Sequence, residues 1–287
     1  MRSLIETITS VSELKKIIRS LKEKNTNIGF VPTMGYLHEG HLSLVRQSKE
    51  KCDITFVSIF VNPSQFAPAE DLSKYPRDIE RDSFLLQNEV VDYLFFPTAD
   101  EIYSNGFSSI VDVGPLTQIL EGEFRPTHFC GVTTVVSILF NLVQPDYAFF
   151  GQKDAQQVAV IKKMVKDLNF NVEIVVCPII REKDGLAMSS RNVYLSLQER
   201  KDALVLSRSL NAAKKLIDGG EKKVKEIIEV MTKIIISVET TQIDYVKIVN
   251  SNSFEEEVFL QAKNEYFILI ACRIGKTRLI DNLLFKT

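Results

Sequence analysis

Short apolar runs rich in β-branched residues recur through the first 180 positions of this sequence, and they limit its possible folds more than any other feature. The runs occupy residues 28–31, 54–61, 90–96, 146–151 and 172–180. Such runs are typical of strands buried on both faces of a parallel sheet. Helical periodicity fills the segments between them, most clearly over residues 132–143 and 155–168 and in the apolar stripe from Leu14 to Leu21. This alternation predicts an α/β fold with a doubly wound, Rossmann-like parallel sheet.

The pattern changes after residue 181. Ser196 and Glu199 form an S-x-x-E capping box, which predicts a helix that ends near Gly219-Gly220. A second helical stretch and two strand-like runs follow, over residues 224–236, 245–249 and 266–274. We therefore expect a Rossmann-like domain over residues 1–181 and a smaller C-terminal α+β domain over residues 182–287, a division that suits domains of about 150 residues.

Composition excludes several classes of protein. Lysine and arginine total 35 against 37 acidic residues, so the basic excess of a dedicated nucleic-acid binder is absent. The four cysteines contain no CxxC pair, which argues against a zinc knuckle or a disulfide framework. The sequence shows neither the apolar core of a signal peptide nor the ~18 consecutive apolar residues of a membrane span. We expect a cytoplasmic protein with no nucleic-acid or membrane partner.

Polar segments follow the predicted strands, where doubly wound proteins bind their ligands. The first is PTMGYLHEGH (residues 32–41), in which His38 and His41 share one face of the first turn of a predicted helix. Unpaired N–H groups and the helix dipole favour an anion at that end, so the pair predicts a phosphate site. A helix cap with incidental surface histidines fits the same pattern. The H-E-x-H spacing disfavours a zinc protease, which needs H-E-x-x-H.

A second polar segment contains Met188, Ser189, Ser190 and Arg191, with Arg181 and Lys183 upstream. Two hydroxyls and a guanidinium can hold nucleotide phosphates and stabilise a leaving pyrophosphate. An ordinary polar linker between domains is the alternative. Gly275-Lys276-Thr277 is not a P-loop, because Ile270 stands where the motif needs glycine. A histidine turn followed by a serine-basic loop resembles the HIGH and KMSKS arrangement of nucleotidylyl transferases.

Six motifs between residues 32 and 195 make the resemblance more specific. In chain order they are PTMGYLHEGHLSLV, SIFVNPSQF, YPRD, GVTTVV, QPDYAFFGQKDAQQ and DGLAMSSRNVYL. Together they resemble the pantothenate synthetase (pantoate–β-alanine ligase) family of the coenzyme A pathway. The resemblance implies ATP-dependent condensation of pantoate with β-alanine through pantoyl adenylate, giving pantothenate, AMP and pyrophosphate. It further implies a homodimer and no prosthetic group. Magnesium is expected because ATP is handled as its Mg²⁺ complex. The loop from Lys183 to Arg191 predicts that the C-terminal domain closes over ATP as a lid.

The resemblance also assigns roles to individual residues. It places ATP against Met34, Gly35, Tyr36, Leu37, His38, Glu39, Gly40, His41, Gly151, Gln152, Lys153, Asp154, Ile180, Met188, Ser189, Ser190 and Arg191. Of these, it gives catalytic roles to His38, His41 (the proton donor), Lys153, Ser189, Ser190 and Arg191. It places pantoate and β-alanine against Asn62, Gln65, Tyr75, Arg125 and Gln157, and makes Asp82 a magnesium ligand. Gln152 departs from the charged residue expected beside Lys153.

Several of these residues are also compatible with a purely structural or solvent-exposed position. Gln65 is also compatible with an ordinary loop residue, Gln157 and Arg125 with solvated positions, and Asp82 with a charged helix surface. Three other functions would each call for different features. A nucleotidylyltransferase would need extra basic residues for its acceptor phosphate, a tRNA synthetase would need an anticodon-binding domain, and a silent nucleotide-binding module would not need the histidine pair.

Overall fold

The computed structural model describes residues 5–66 and 72–287 of the chain. These residues belong to two compact units. The first contains the residues up to Gln152 together with Gln156–Pro178, and the second contains Lys153–Ala155 and Ile179–Thr287. The predicted fold class, a parallel α/β sheet with a smaller α+β part, is confirmed.

The first unit is built on a six-stranded sheet in which every pair of neighbours is parallel. Its strands are β1 (Glu6–Ile8), β2 (Ile28–Thr33), β3 (Ile54–Ile59), β4 (Tyr93–Phe95), β5 (Tyr147–Gly151) and β6 (Glu173–Cys177). They lie in the order β1-β4-β3-β2-β5-β6. The order reverses between β2 and β5, which makes the carboxyl ends of these two strands the switch point where a ligand is expected.

Helices cover both faces of this sheet. They are α1 (Val11–Glu23), α2 (Glu39–Lys51), α3 (Ile79–Asn88), α4 (Ala99–Ile102), α5 (Glu121–Phe124), α6 (His128–Val143) and α7 (Ala155–Asp167). Successive strand residues enter opposite cores: Phe30 packs in the cluster that includes residues of α1, α6 and α7, whereas Val31 packs in the one that includes residues of α2 and α3. Because both faces are buried, the central strands read as unbroken apolar runs.

The second unit packs helices on an antiparallel sheet of order β7-β8-β9. Its elements are α8 (Leu197–Asp202), α9 (Leu204–Asp218), α10 (Val224–Ile236), β7 (Thr241–Asn250), β8 (Glu265–Ile274) and β9 (Thr277–Lys286). The capping box is confirmed, since Ser196 Oγ accepts from the Glu199 N–H (3.3 Å) and the Glu199 carboxylate accepts from the Ser196 N–H (2.8 Å). The single helix predicted from there to Gly219 was wrong: the chain turns at the fully buried Ala203, between α8 and α9.

All four cysteines are unbridged, and burial raises the pKa of Cys52, Cys177 and Cys272 to about 11. Thiols so shifted are poor nucleophiles near neutral pH, in keeping with a packing role for Cys177.

Within residues 5–66 and 72–287, no helix has both the length and the apolar character needed to cross a membrane.

Candidate active site

Residues 34–41, here called the histidine turn, leave the carboxyl end of β2 and begin α2. The backbone is left-handed at Gly35 (φ 81°) and at Tyr36 (φ 51°). Glycine suits the first position for a second reason, because a Cβ there would lie 3.0 Å from Ile59 Cγ2 and 3.1 Å from Asp82 Oδ2. The tight turn therefore places both histidines directly after β2, at the switch point of the sheet.

His38 and His41 cap the helix with their own side chains. The Gly40 N–H donates to His38 Nδ1 (3.1 Å) and the His38 N–H donates to His41 Nδ1 (3.3 Å). The two ring centroids are 4.1 Å apart. Because each Nδ1 accepts a hydrogen bond, the proton of each neutral ring is on Nε2, the form in which that nitrogen donates to an anion. Capping and phosphate binding are thus compatible in one arrangement.

Asp82 holds the histidine turn from α3. Its carboxylate accepts from the Tyr36 N–H (2.6 Å) and the Leu37 N–H (2.8 Å), and only 1% of the residue is exposed. Neighbouring Arg81 donates to the Leu37 carbonyl (2.9 Å) and lies over the Tyr36 ring. Burial raises the pKa of the Asp82 carboxyl, and the two amide hydrogen bonds oppose that rise. The charge at Asp82 therefore has a structural use beside the predicted magnesium role.

Asn62 caps the 3₁₀ turn Pro63–Gln65, which follows β3 and ends at Gln65. Asn62 is fully engaged: its Nδ2 donates to the Gln65 side-chain oxygen (3.2 Å) and the Gly131 carbonyl (3.0 Å), while its Oδ1 accepts from the Tyr103 hydroxyl (2.7 Å). Gln65 Nε2 in turn donates to Met34 Sδ (2.8 Å). Gln65 is thereby joined to the histidine turn, with Asn62 as its support.

The start of α6 packs tightly against this turn. A Cβ at Gly131 would lie 2.4 Å from the Ser64 carbonyl oxygen, so glycine is required for the approach. The His128 ring is 3.1 Å, Nδ1 to oxygen, from the Gln65 carbonyl. Arg125 is 9% exposed, which makes the solvated alternative for this arginine wrong. His128, which no sequence pattern singled out, belongs to the same buried group.

The remaining predicted pantoate residues lie on other elements of the first unit. Gln157 is half-buried near the start of α7, and Tyr75 packs edge-on against Phe66. The adjacent Gln156 is the more deeply buried of the two glutamines. Its amide accepts from the Glu121 N–H (3.0 Å) and donates to the Ile119 carbonyl (2.8 Å), so it shapes the segment before α6.

The second unit contains the other predicted phosphate contacts. Residues 180–188 form a small hairpin in which the Met188 N–H donates to the Ile180 carbonyl (3.0 Å) and the Glu182 N–H to the Leu186 carbonyl (2.8 Å). It leads into the serine loop, residues 188–191, where Ser189 Oγ accepts from the Arg191 N–H (3.3 Å) and caps a 3₁₀ helix. This segment is therefore a hydrogen-bonded element of the second unit.

A small cavity of about 10 Å³, roughly the room that one water molecule needs, is lined in the second unit by Lys153, Ser189, Asn192 and Asp281, among others. The Lys153 side chain is 16% exposed, and its Nζ is 3.9 Å from Asp154 Oδ1. The structure thus brings Lys153 and the serine loop to one cavity, and separately joins the histidine turn to Gln65 in the first unit. In the described ranges, no three His, Cys, Asp or Glu side chains are grouped as a metal site.

Comparison with known proteins gives concordant matches over nearly the whole chain. A family model described as pantoate-beta-alanine ligase matches residues 6–284. The pantothenate synthetase of Caldicellulosiruptor bescii is 55% identical over 279 residues, which cover 97% of this chain and 98% of that protein. The pantothenate synthetase of Acetivibrio thermocellus is 53% identical over 282 residues, covering 98% and 100%.

Solved structures agree with this result. The crystal structure of pantothenate synthetase from Thermus thermophilus has a TM-score of 0.92 at 45% identity and covers 97% of this chain and 99% of that one. The pantoate-beta-alanine ligase of Francisella tularensis, complexed with beta-gamma ATP and beta-alanine, has a TM-score of 0.78 at 34% identity and covers 98% and 97%.

Proposed function

The chain belongs to the pantoate–β-alanine ligase family, and we propose that it condenses pantoate with β-alanine using ATP. The pantoate carboxylate attacks the α-phosphorus of ATP, and pyrophosphate leaves. The β-alanine amine then attacks the acyl carbon of the adenylate, AMP leaves, and loss of a proton from nitrogen gives the amide. Activation is needed because a free carboxylate has no adequate leaving group. The enzyme has to hold the reactants in line and stabilise charge at phosphorus.

The observation that carries this proposal is the contact between Gln65 and Met34 of the histidine turn. His38 and His41, with Nε2 as donor, would bind phosphate oxygens at the amino end of α2, where the helix dipole adds to the attraction. Gln65 contacts Met34, the first residue of the same turn. A neutral amide can bind the hydroxyls and carboxylate of a small acid without repelling the phosphates. The residues assigned to a phosphate and to an acid therefore belong to contacting segments of this unit.

The other site roles extend this assignment. We assign Gln157, Tyr75 and Arg125 to the acid and its amine acceptor, and Asn62 to the support of Gln65. In the second unit we assign Lys153 and the serine loop to the ATP phosphates, with Asp154 on the ribose and Ile180 on the adenine. Lys153 and Ser189 line the same small cavity and so lie near each other, which supports the phosphate assignment because an ammonium, hydroxyls and a guanidinium suit a polyphosphate.

Magnesium enters as part of the Mg-ATP substrate, and ATP phosphates with water supply most of its usual ligands. For Asp82 as a protein ligand, the support is its charge and its place beside the histidine turn. Against it stand the two backbone hydrogen bonds that its oxygens already accept. A metal there would compete with the amides of the turn, so the anchoring role has the stronger support.

Three further properties are proposed on family membership. The protein forms a homodimer, it acts in the cytoplasm, where ATP is made, and residues 182–287 close over bound ATP as a lid. Sedimentation of the purified protein tests the first, since a single-chain mass would contradict it. Small-angle scattering tests the third, because identical profiles with and without ATP would count against closure.

A substrate-omission assay tests the function itself. Purified protein with pantoate, β-alanine and Mg-ATP should form AMP, pyrophosphate and pantothenate in equal amounts. Without β-alanine, it should still exchange labelled pyrophosphate into ATP, provided pantoate is present. Formation of ADP would contradict the adenylate route, and exchange without pantoate would point to a different acceptor. Gln65→Ala should weaken the use of pantoate, and a defect confined to ATP would remove Gln65 from the acid site.

A further inference from the structure

Strand β9 carries two adjacent polar residues in an otherwise apolar stretch. Asp281 and Asn282 are each 2% exposed, within the sequence RLIDNLLF. Burying a carboxylate and an amide is costly unless each finds hydrogen-bond partners. Because β9 is an edge strand of the sheet, one side of its backbone remains open to groups outside the sheet. The partners of these two residues lie at Lys153 and in the hairpin that leads into the serine loop.

Asp281 fixes the hairpin that leads into the serine loop. Both of its oxygens accept from the Arg181 guanidinium, at 2.6 and 2.8 Å. The same guanidinium donates to the Gly185 carbonyl across the hairpin (3.0 Å) and to the Asn282 carbonyl on β9 (3.3 Å). A bidentate, charge-assisted pair is strong and directional. It therefore ties residues 180–188 to the edge of β9.

Asn282 fixes the other segment. Its Nδ2 donates to the backbone carbonyl of Lys153 (2.9 Å), a residue 129 positions earlier in the sequence. Its own N–H donates to Asp281 Oδ1 (2.8 Å), which couples the two neighbours. One rigid strand thus holds Lys153 with one residue and the hairpin of the serine loop with the next.

We propose that Asp281 and Asn282 are positioning residues that set Lys153 and the serine loop at the spacing needed to bind the phosphates of one ATP molecule. The proposal rests on the proposed function, which assigns those groups to ATP. Neither residue is required to touch the nucleotide. Their effect is geometric, since a misplacement of about 1 Å can cost about 100-fold in rate, and a strand holds its residues more firmly than a loop.

A double-mutant cycle tests the proposal. Asn282→Ala should raise the KM for ATP in pyrophosphate exchange about tenfold and leave the KM for pantoate nearly unchanged. If Asn282 acts through Lys153, the same substitution in a Lys153→Ala background should add little, because the two losses share one cause. The proposal would be overturned if the rise in the KM for ATP in the double variant equalled the product of the two single rises. A normal KM for ATP in Asn282→Ala would also overturn it.

The matched control is Asp244→Asn, which breaks another buried ion pair of the same sheet. Asp244 accepts from Arg278 Nε at 2.6 Å, and the two side chains are 7% and 14% exposed. It should lower the melting temperature while keeping the KM for ATP within about twofold. A rise in KM equal to that of Asn282→Ala would show that general loosening is the cause. Modification of Lys153 by an amine-reactive reagent distinguishes failure of the positioning proposal from failure of the proposed function. If ATP does not protect Lys153 in the unaltered protein, the assignment of Lys153 to ATP is itself wrong.

Discussion

The histidine turn and the serine loop are both short segments that begin a helix, but they are held in place differently. In the turn, the two side chains assigned to phosphate also make the helix cap. In the loop, most of the support comes from elsewhere: Arg181 and Asp281 hold the hairpin, while Ser190 and Arg191 are assigned to the ligand. In the first case support and function belong to the same side chains. In the second they are different residues and can be changed separately.

Substitution of the histidine pair should lower activity most, because each ring caps α2 and is also assigned to phosphate binding. His38→Ala should lower pyrophosphate exchange by about 100-fold or more and destabilise the protein by about 1 kcal/mol. His38→Asn sharpens the test, since asparagine caps helices well but has no Nε2–H. It should restore the melting temperature without restoring exchange. Recovery of both would show that the ring is only a cap.

Arginines 181 and 191 should separate support from binding in the second unit. Arg191→Ala should raise the KM for ATP by about 10- to 100-fold, with an unchanged melting temperature. Arg181→Ala should also raise the KM for ATP, because it releases the hairpin, and it should in addition destabilise the protein by about 3–5 kcal/mol, because it leaves the Asp281 carboxylate buried without its partner. Urea denaturation beside exchange kinetics checks both. Equal losses of stability would contradict the comparison.

Asp82→Asn should have an intermediate effect on the histidine turn. An amide can accept from only one of the Tyr36 and Leu37 N–H groups and turns its own N–H₂ toward the other. We expect a loss of about 1–3 kcal/mol in stability and a several-fold rise in the KM for ATP. Asp78→Asn on the same helix is the control, because asparagine caps α3 as well as aspartate does. A tenfold greater magnesium requirement in Asp82→Asn would favour the ligand role.

The smallest effect is expected at Asp184, in the turn of the hairpin. Its hydrogen bond with Arg200 holds the pKa of the Asp184 carboxyl below its ordinary value. A lowered acid pKa stabilises the fold above the unfolded value of about 3.9, and the contribution is lost as pH falls through the folded pKa. Both side chains are partly exposed and screened, so Asp184→Asn should cost at most about 1 kcal/mol at pH 7. The difference should vanish once the pH falls below the lowered folded pKa; one that persists there would have another cause.

The difference between local support in the histidine turn and distant support at the serine loop explains what could be predicted from sequence. The histidine turn was recognisable because its histidines, its glycine and the helix it begins lie within ten residues, and local geometry relates them. The central strands were recognisable because burial on both faces leaves a continuous apolar run. The predicted roles of the individual site residues stay predictions.

The supports of the site were not predictable in this way. Arg181 meets Asp281 across 100 residues of sequence, and no local pattern relates them. The only signal was the Asp-Asn pair within an apolar strand, where polar residues need a reason to be buried. Strand β1 has only three residues, too few to show a periodicity, and the break at Ala203 is hidden because helical sequence continues on both sides.

The proton arrangement of the histidine turn has a consequence for ionic strength. Two neutral rings and a helix terminus can attract phosphate without a full positive charge, whereas Lys153 and Arg191 each carry one. Dissolved salt screens full charges across a Debye length of about 8 Å at physiological concentration, but it weakens short neutral hydrogen bonds far less. On the roles proposed for these residues, added potassium chloride should therefore weaken the contacts of Lys153 and Arg191 with ATP first, and those of the histidine turn less.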